Sequence, residues 1–223
     1  MIKLKKSAKP KILEEKGSEW TKTLLQKKAA GEAATATEST RYRHPDIKEA
    51  LVLETHNKCA YCESKLQHTH HGDVEHIMPK SLQLDKILEW SNLTLACEKC
   101  NQKKSNLDPD AEKIIDPYAV DPRSHFFFAG PFLHTLGTPE GISTKVILEL
   151  DRPELIEMRQ ERILVVMAIF AEIMRSDIPL HARRLIYKNL LTTEPAGNKA
   201  YSAMIRDLIA AVAERVPGDV KAP

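Results

Sequence analysis

The chain has 223 residues, 42% of them hydrophobic and 29% charged, with a formal net charge of +2 and four cysteines. That length can bury a real core, as one large domain or two small ones, and the composition is that of an ordinary soluble globular protein. The longest apolar run, Ile163 to Ala171, has nine residues, too few to span a bilayer. The opening M-I-K-L-K-K carries no export signal, so the expectation is a cytoplasmic protein with no membrane partner.

Charge is unevenly spread. Residues 1–44 hold eleven Lys/Arg against five Asp/Glu, and the remainder holds twenty-two against twenty-six. A basic arm ahead of a near-neutral body suits phosphate backbones, an acidic groove on a partner protein, or a solvated tail.

In chain order, residues 1–17, punctuated by Pro10 and Gly17, read as an extended linker. Trp20, Leu24 and Leu25 behind Ser18 predict a helix over 18–28, and the small polar residues 31–40 a connection. Asp46 and Glu49 have capping-box spacing, and Ile47, Ala50 and Leu51 give an apolar face, predicting a helix over 46–56. Val74 to Ile77 predicts a short strand halted by Pro79, and Leu84 to Trp90 a short helix. Asn92 to Ala96 returns as a second short strand, followed by a helix from Glu98 to about Ser105.

Past the turn-rich residues 116–122, Phe126–Phe128 and Ile142–Leu150 predict two strands of one small sheet, the second from the spacing of Ile142, Val146, Leu148 and Leu150. At Asp151 the period becomes helical. Asp151 and Glu154 frame a capping box, and Leu155, Met158, Val165, Ile169 and Ile173 predict a buried stripe. Two helices follow, over 181–191 and 199–216. The expected class is α+β: a basic arm and linker at 1–45, a metal-stapled unit at 46–122, and a β-hairpin with three helices at 123–223.

The chemistry is concentrated between Cys59 and Asn106. All four cysteines fall in two C-x-x-C pairs, Cys59/Cys62 and Cys97/Cys100. Paired knuckles without an export signal favour metal over disulfides, and four thiolates make a tetrahedral structural Zn2+ site. The thirty-four residues between the pairs exceed what a simple zinc ribbon needs, and they contain Glu75-His76 and Asn92, with Asn101 directly after the last cysteine. Neutral imidazole is a competent general base, and a hard divalent cation takes oxygens from Glu and Asn. Adjacent strand residues face opposite ways, so Glu75 and His76 need a twist to serve one phosphate.

The order Cys-x-x-Cys, Glu75-His76-Ile77-x-Pro79, Asn92-Leu93, Cys-x-x-Cys-Asn101, with Lys103-Lys104 following, resembles the HNH endonucleases of the ββα-metal fold. The resemblance implies a zinc-stapled nuclease core in which His76 is the general base. Glu75 and Asn101 would hold a catalytic Mg2+ or Mn2+, and Asn92 would tie the loop that orients the base. Asn101 stands where that family more often has His. The substrate implied is nucleic acid, DNA first and RNA second, with Lys103, Lys104 and Arg123 as candidate phosphate contacts.

More loosely, the basic leader with K-P-K-I-L and Glu19-Trp20, the position of the motif and the helical tail are similar to the HNH subunit of Septu-type and retron-associated antiphage systems. Such subunits act beside an ABC-type ATPase subunit, which becomes the expected partner. Two other functions fit the same residues: a stand-alone nuclease of a restriction or mobile element, and a non-catalytic zinc-dependent nucleic-acid adaptor. Asp73 is a candidate second metal carboxylate or a loop former. His68, His70 and His71 read as solvated rather than ligating, Asn106 as a helix C-cap, and His125 and His134 as structural.

Overall fold

A computed structural model describes residues 1–66 and 71–221. Helix α1 spans Lys11–Ala30. It starts seven residues earlier than the sequence suggested, because Pro10 sits just before the first turn, where its missing N–H costs nothing. Gly17 lies inside the helix, and Gly31 ends it with a left-handed φ of 70°. Residues 31–40 are more ordered than expected. Helix α2, Ala36–Ser39, is capped reciprocally by Thr35 and Glu38, and Glu38 pairs with Lys27 at 2.7 Å.

Residues 1–9 form a strap across the core rather than a linker. Leu4 N–H donates to Pro117 O at 2.9 Å. Lys6 reaches Glu54 Oε1 at 2.9 Å and Leu93 O at 2.8 Å, and Trp90 Nε1 donates to Ser7 O at 2.9 Å. The Lys6 ammonium also lies 3.7 Å from the Trp90 ring centroid, a cation–π contact.

Helix α3, Pro45–Glu54, is capped by His44, whose ring nitrogen accepts from Asp46 N–H, with Pro45 in the first turn. Asp46 is thus a first-turn acid and not the cap. Strand β1, Asp73–His76, pairs antiparallel with β2, Leu93–Ala96, in the register Asp73↔Ala96 to His76↔Leu93. The connection between them uses two 3-10 turns, Leu84–Lys86 and Trp90–Asn92, where one short α-helix was expected. Helix α4, Glu98–Lys104, follows at once and packs on β1. Both strands are only four residues long, so neighbours must hold them.

Strand β3, Phe126–Ala129, pairs with β4, Phe132–Thr135. The segment expected to be its partner, Ile142–Leu150, is instead mostly helix α5, Pro139–Ile147. Thr138 caps it by accepting from Gly141 N–H, and Pro139 occupies the first turn. That start signal outweighs the alternation. Ile142 and Val146 stay exposed while Thr144 and Leu148 are buried.

Helix α6, Pro153–Met174, buries Leu155, Arg159, Ile163, Val166, Phe170 and Ile173. Met158 and Val165, expected inside, are exposed. The stripe is rotated because Arg159 turns inward to Asp151 at 3.1 Å. Asp151 does not cap α6; it accepts from Leu133 N–H at 2.9 Å and pairs with Lys145 at 2.8 Å. Helices α7, Leu180–Thr193, and α8, Ser202–Val212, complete the helical region, with a short α9 at Gly218–Lys221. Helix α8 is fastened to β3 by Phe128 N–H donating to Asp207 Oδ2 at 2.8 Å.

One buried cluster runs from Leu13 and Leu24 through Leu51, Leu93 and Leu95 to Ile163, Met204 and Ile205. Among the described residues no helix is long and apolar enough to cross a membrane.

Candidate active site

The first cysteine pair sits in a tight turn just past α3, closed by Glu63 N–H to Cys59 O and Cys59 N–H to Ser64 O, both 3.0 Å. Glu63 takes a φ of 64° to make it. The second pair opens α4, where Cys97 is the N-cap and its Sγ accepts from Cys100 N–H at 3.4 Å. The four sulfurs lie within 4.8 Å of one another, with Cys62 and Cys97 3.8 Å apart. A tetrahedron of Zn–S bonds near 2.3 Å has edges of about 3.8 Å, so the cluster is compatible with one zinc ion.

The proton balance of the cluster agrees. Hydrogen bonding from Cys100 holds the Cys62 thiol well below its usual range and lowers Cys97. Burial pushes Cys59 up, and the three surrounding sulfurs push Cys100 up. Sulfurs this crowded stabilise some thiolates only by keeping others protonated, a conflict a dication removes. The Arg152 guanidinium lies 3.9 Å from both Cys97 Sγ and Cys100 Sγ. Burial opposes its charge, and the cysteine sulfurs raise its pKa above the ordinary arginine value.

Beside this staple lies a cleft of about 270 Å³, walled by Tyr42, Asp73, Glu75, His76, Lys80 and Asn101 among others. Strand alternation sends Glu75 and His76 opposite ways, as expected from their adjacency. Toward α4, Asp73 Oδ2 accepts from Asn101 Nδ2 at 3.0 Å, and Glu75 Oε1 meets Lys104 Nζ at 2.8 Å. Toward the connection, His76 Nε2 bonds Ile87 O at 2.9 Å, and its ring meets the edge of Tyr42 with centroids 4.6 Å apart.

A carbonyl only accepts, so Nε2 carries the proton and Nδ1 is left as the ring's acceptor. Burial, with the Lys80 and Lys104 charges, lowers the His76 pKa to about 4, against the pull of the Ile87 bond. The imidazole is therefore neutral at physiological pH. Burial raises the pKa of Glu75 against the pull of Lys104.

Asn92 pins the connection. Its Oδ1 accepts from Met78 N–H at 2.7 Å, while Nδ2 donates to Met78 O at 3.0 Å and Lys86 O at 3.1 Å. That one amide holds the backbone on both sides of the loop whose Ile87 carbonyl orients His76.

Some expected contacts do not form. Lys104 is fully buried, its ammonium committed to Glu75 and to His76 O at 2.8 Å, so it cannot touch an external phosphate. Lys103 is exposed and pairs with Glu149 at 2.5 Å, and Arg123 pairs with Asp121 at 3.0 Å. The residue capping α4 is Ser105, ahead of Asn106, which lines the cleft. His71 is exposed, whereas His68 and His70 lie outside the described residues. His125 Nδ1 bonds Thr138 Oγ1 at 2.7 Å and His134 stacks on Phe127, both structural.

Three cleft residues of cationic or aromatic character, Tyr42, Arg43 and Lys80, were missed. Tyr42 comes from the R-Y-R triplet ahead of α3, seventeen residues before the first cysteine. Lys80 directly follows the Glu-His-Ile-x-Pro run. The available signal was the basic-aromatic triplet, a pattern of nucleic-acid surfaces.

Residues 59–107 match the family model described as HNH endonuclease, and the four cysteines, Glu75, His76, Asn92 and Asn101 all fall inside the match. The chain thus carries the domain of a nuclease. It is 32% identical over 126 residues to the Septu protein PtuB of Bacillus thuringiensis, covering 56% of this chain and 45% of that protein. It is 25% identical over 196 residues to the Septu protein PtuB of Bacillus mycoides (strain KBAB4), covering 71% of this chain and 66% of that protein. The chain therefore spans between about half and two thirds of the length of these relatives.

Proposed function

We propose that the whole protein is a metal-dependent endonuclease that hydrolyses phosphodiester bonds of nucleic acid, as the effector of a Septu-type antiphage complex. The observation carrying this is the His76 imidazole: neutral, its Nε2 fixed by Ile87 O, in one cleft with two carboxylates and an amide. An adaptor that only grips nucleic acid has no use for a buried, oriented base next to hard oxygen donors.

In this reading His76 takes a proton from the attacking water through Nδ1, and Asn92 maintains the loop that aims the ring. The oxygens of Asp73, Glu75 and Asn101 suit a hard cation. Asp73 and Asn101, in mutual contact on the cleft wall, and the more deeply set Glu75 would hold Mg2+ or Mn2+. When bound, that ion supplies Lewis-acid stabilisation of the charge on phosphate and leaving oxygen. Zn2+ is assigned to the four cysteines as a structural ion. DNA is taken as the substrate, with RNA tested alongside, and an ABC-type ATPase subunit as the partner.

The test compares wild type with His76→Ala for cleavage of plasmid DNA and RNA in Mg2+ and in Mn2+, with zinc measured in both proteins. Equal zinc with cleavage only by wild type is the expected result. Zinc in both and cleavage by neither would leave a zinc-stapled adaptor. Co-purification with an ATPase subunit tests the defence assignment, and its failure with cleavage intact would leave a stand-alone nuclease.

A further inference from the structure

Cations near the cleft fall into two groups. Lys103 and Lys104 are neutralised by Glu149 and Glu75. Arg43 and Lys80 also line the cleft, and neither has a carboxylate partner among the described residues. Both are arranged on Tyr42. Lys80 Nζ donates to Tyr42 Oη at 2.8 Å and lies 4.3 Å from its ring centroid, and Arg43 Cζ is 5.4 Å from the same centroid. Tyr42 is buried and edge-packed on His76.

Lys80 makes no other side-chain hydrogen bond among the described residues, and the Arg43 guanidinium has no acceptor there. An ammonium has three donors and a guanidinium five, so most of this capacity is unspent. His76 and Asp73 are three residues apart on β1, about 10 Å along a strand. The unpaired cations therefore gather at the His76 end of the strand, and the Asp73–Asn101 pair at the other. A cleft polarised in this way suits a backbone gripped by cations on the His76 side and faced by hard oxygen donors from the other.

We infer that Lys80 and Arg43, mounted on Tyr42, are a phosphate clamp that holds the nucleic-acid backbone against His76. The inference rests on the nuclease reading for its purpose, but it is a statement about binding and is testable without cleavage. Tyr42 and Arg43 precede the HNH match, which begins at residue 59, so the clamp joins the N-terminal region to the nuclease motif.

The experiment measures binding of a fluorescent single- and double-stranded DNA oligonucleotide, and of the RNA equivalents, over a salt series with no added Mg2+ or Mn2+ and no chelator, so that the cysteine cluster keeps its zinc. The proteins are wild type, Lys80→Ala, Arg43→Ala, Lys80→Arg and the distant control Lys188→Ala, with melting temperature and zinc content checked for each. Each alanine variant in the clamp should bind on the order of tenfold more weakly, and the slope of log K against log salt should shrink by about 0.7–0.9, the value of one lost phosphate contact. Lys80→Arg should restore the slope, and Lys188→Ala should match wild type. Wild-type slope and affinity in Lys80→Ala and Arg43→Ala overturn the clamp, as does a wild-type protein that binds no nucleic acid. Cleavage by wild type in Mg2+ or Mn2+ is scored separately, so the clamp can fail with the nuclease reading intact, or the reverse.

Discussion

Lys104 and Glu75 form a buried ion pair at 2.8 Å directly beneath the cleft, and the same ammonium donates to the His76 carbonyl at 2.8 Å. The contact ties α4 to β1 through the His76 backbone itself. Removing one partner of such a pair strands the other charge and costs about 3–5 kcal/mol. Lys104→Met should lose that much in urea unfolding, together with cleavage. The double variant Glu75→Gln/Lys104→Met should recover most of the stability and none of the cleavage. An unfolding midpoint unmoved by Lys104→Met would show that the pair holds nothing together.

His76→Ala should reduce cleavage by about a hundredfold to ten-thousandfold, the usual cost of losing a general base. Zinc content should stay at the wild-type level. Retention of more than a tenth of wild-type turnover would remove His76 from the chemistry.

Asn92→Ala leaves Met78 N–H and two carbonyls without the amide that joins them. The expected cost is about 1–3 kcal/mol in stability for the unsatisfied groups. Cleavage should fall further than stability, because the Ile87 carbonyl that fixes the His76 ring sits in the same loop. Parallel thermal melts and cleavage assays decide it: a loss of activity matched by the unfolded fraction would make Asn92 purely structural.

Arg152→Ala withdraws the guanidinium that lies 3.9 Å from two of the sulfurs. Partners that support metal ligands from outside commonly tune affinity by about 10–100-fold. Competition against a chromogenic zinc chelator should show a drop of that order, with one zinc still bound per chain at saturation. Wild-type affinity in this variant would reduce Arg152 to packing.

Glu63 contributes a stability that acid removes. Burial resists its ionisation, but the Met1 ammonium at 2.9 Å and Lys58 at 3.2 Å outweigh it, and the carboxyl is held down to about 2 from an ordinary 4.5. A depressed acid stabilises the fold fully above its unfolded pKa and loses that contribution as pH falls toward the folded value. Stability should therefore decline as pH drops from about 4.5 to about 2. Glu63→Gln should be destabilised at pH 7 by about 3–5 kcal/mol, with a shallower acid decline. Identical pH–stability curves for the two proteins would rule this out.

The cysteine knuckles, both strands of the hairpin and α4 were legible because spacing and period are local properties. Pro10 misled because a proline that interrupts one helix also starts another, and only the Leu13 N–H bond to Pro10 O decides which. Ile142–Leu150 misled because alternation over a short stretch is weak beside a Thr-Pro helix start. Lys104 shows the wider limit. Its spacing after Asn101 was plain, but whether the ammonium pointed to solvent or to Glu75 depended on how α4 docks on β1. The R-Y-R triplet could have marked Tyr42, but no local pattern shows that a residue ahead of α3 packs on the ring of His76.

Strands of four residues cannot stand alone, and the pair that carries Glu75 and His76 is held by sulfur at one end and by the N-terminal strap at the other. With zinc in the four-cysteine cluster, losing that ion would free the end of the hairpin nearest the knuckles and leave the strap alone to keep its strands together. Zinc supply would then bear on whether the cleft is formed, ahead of any question of turnover.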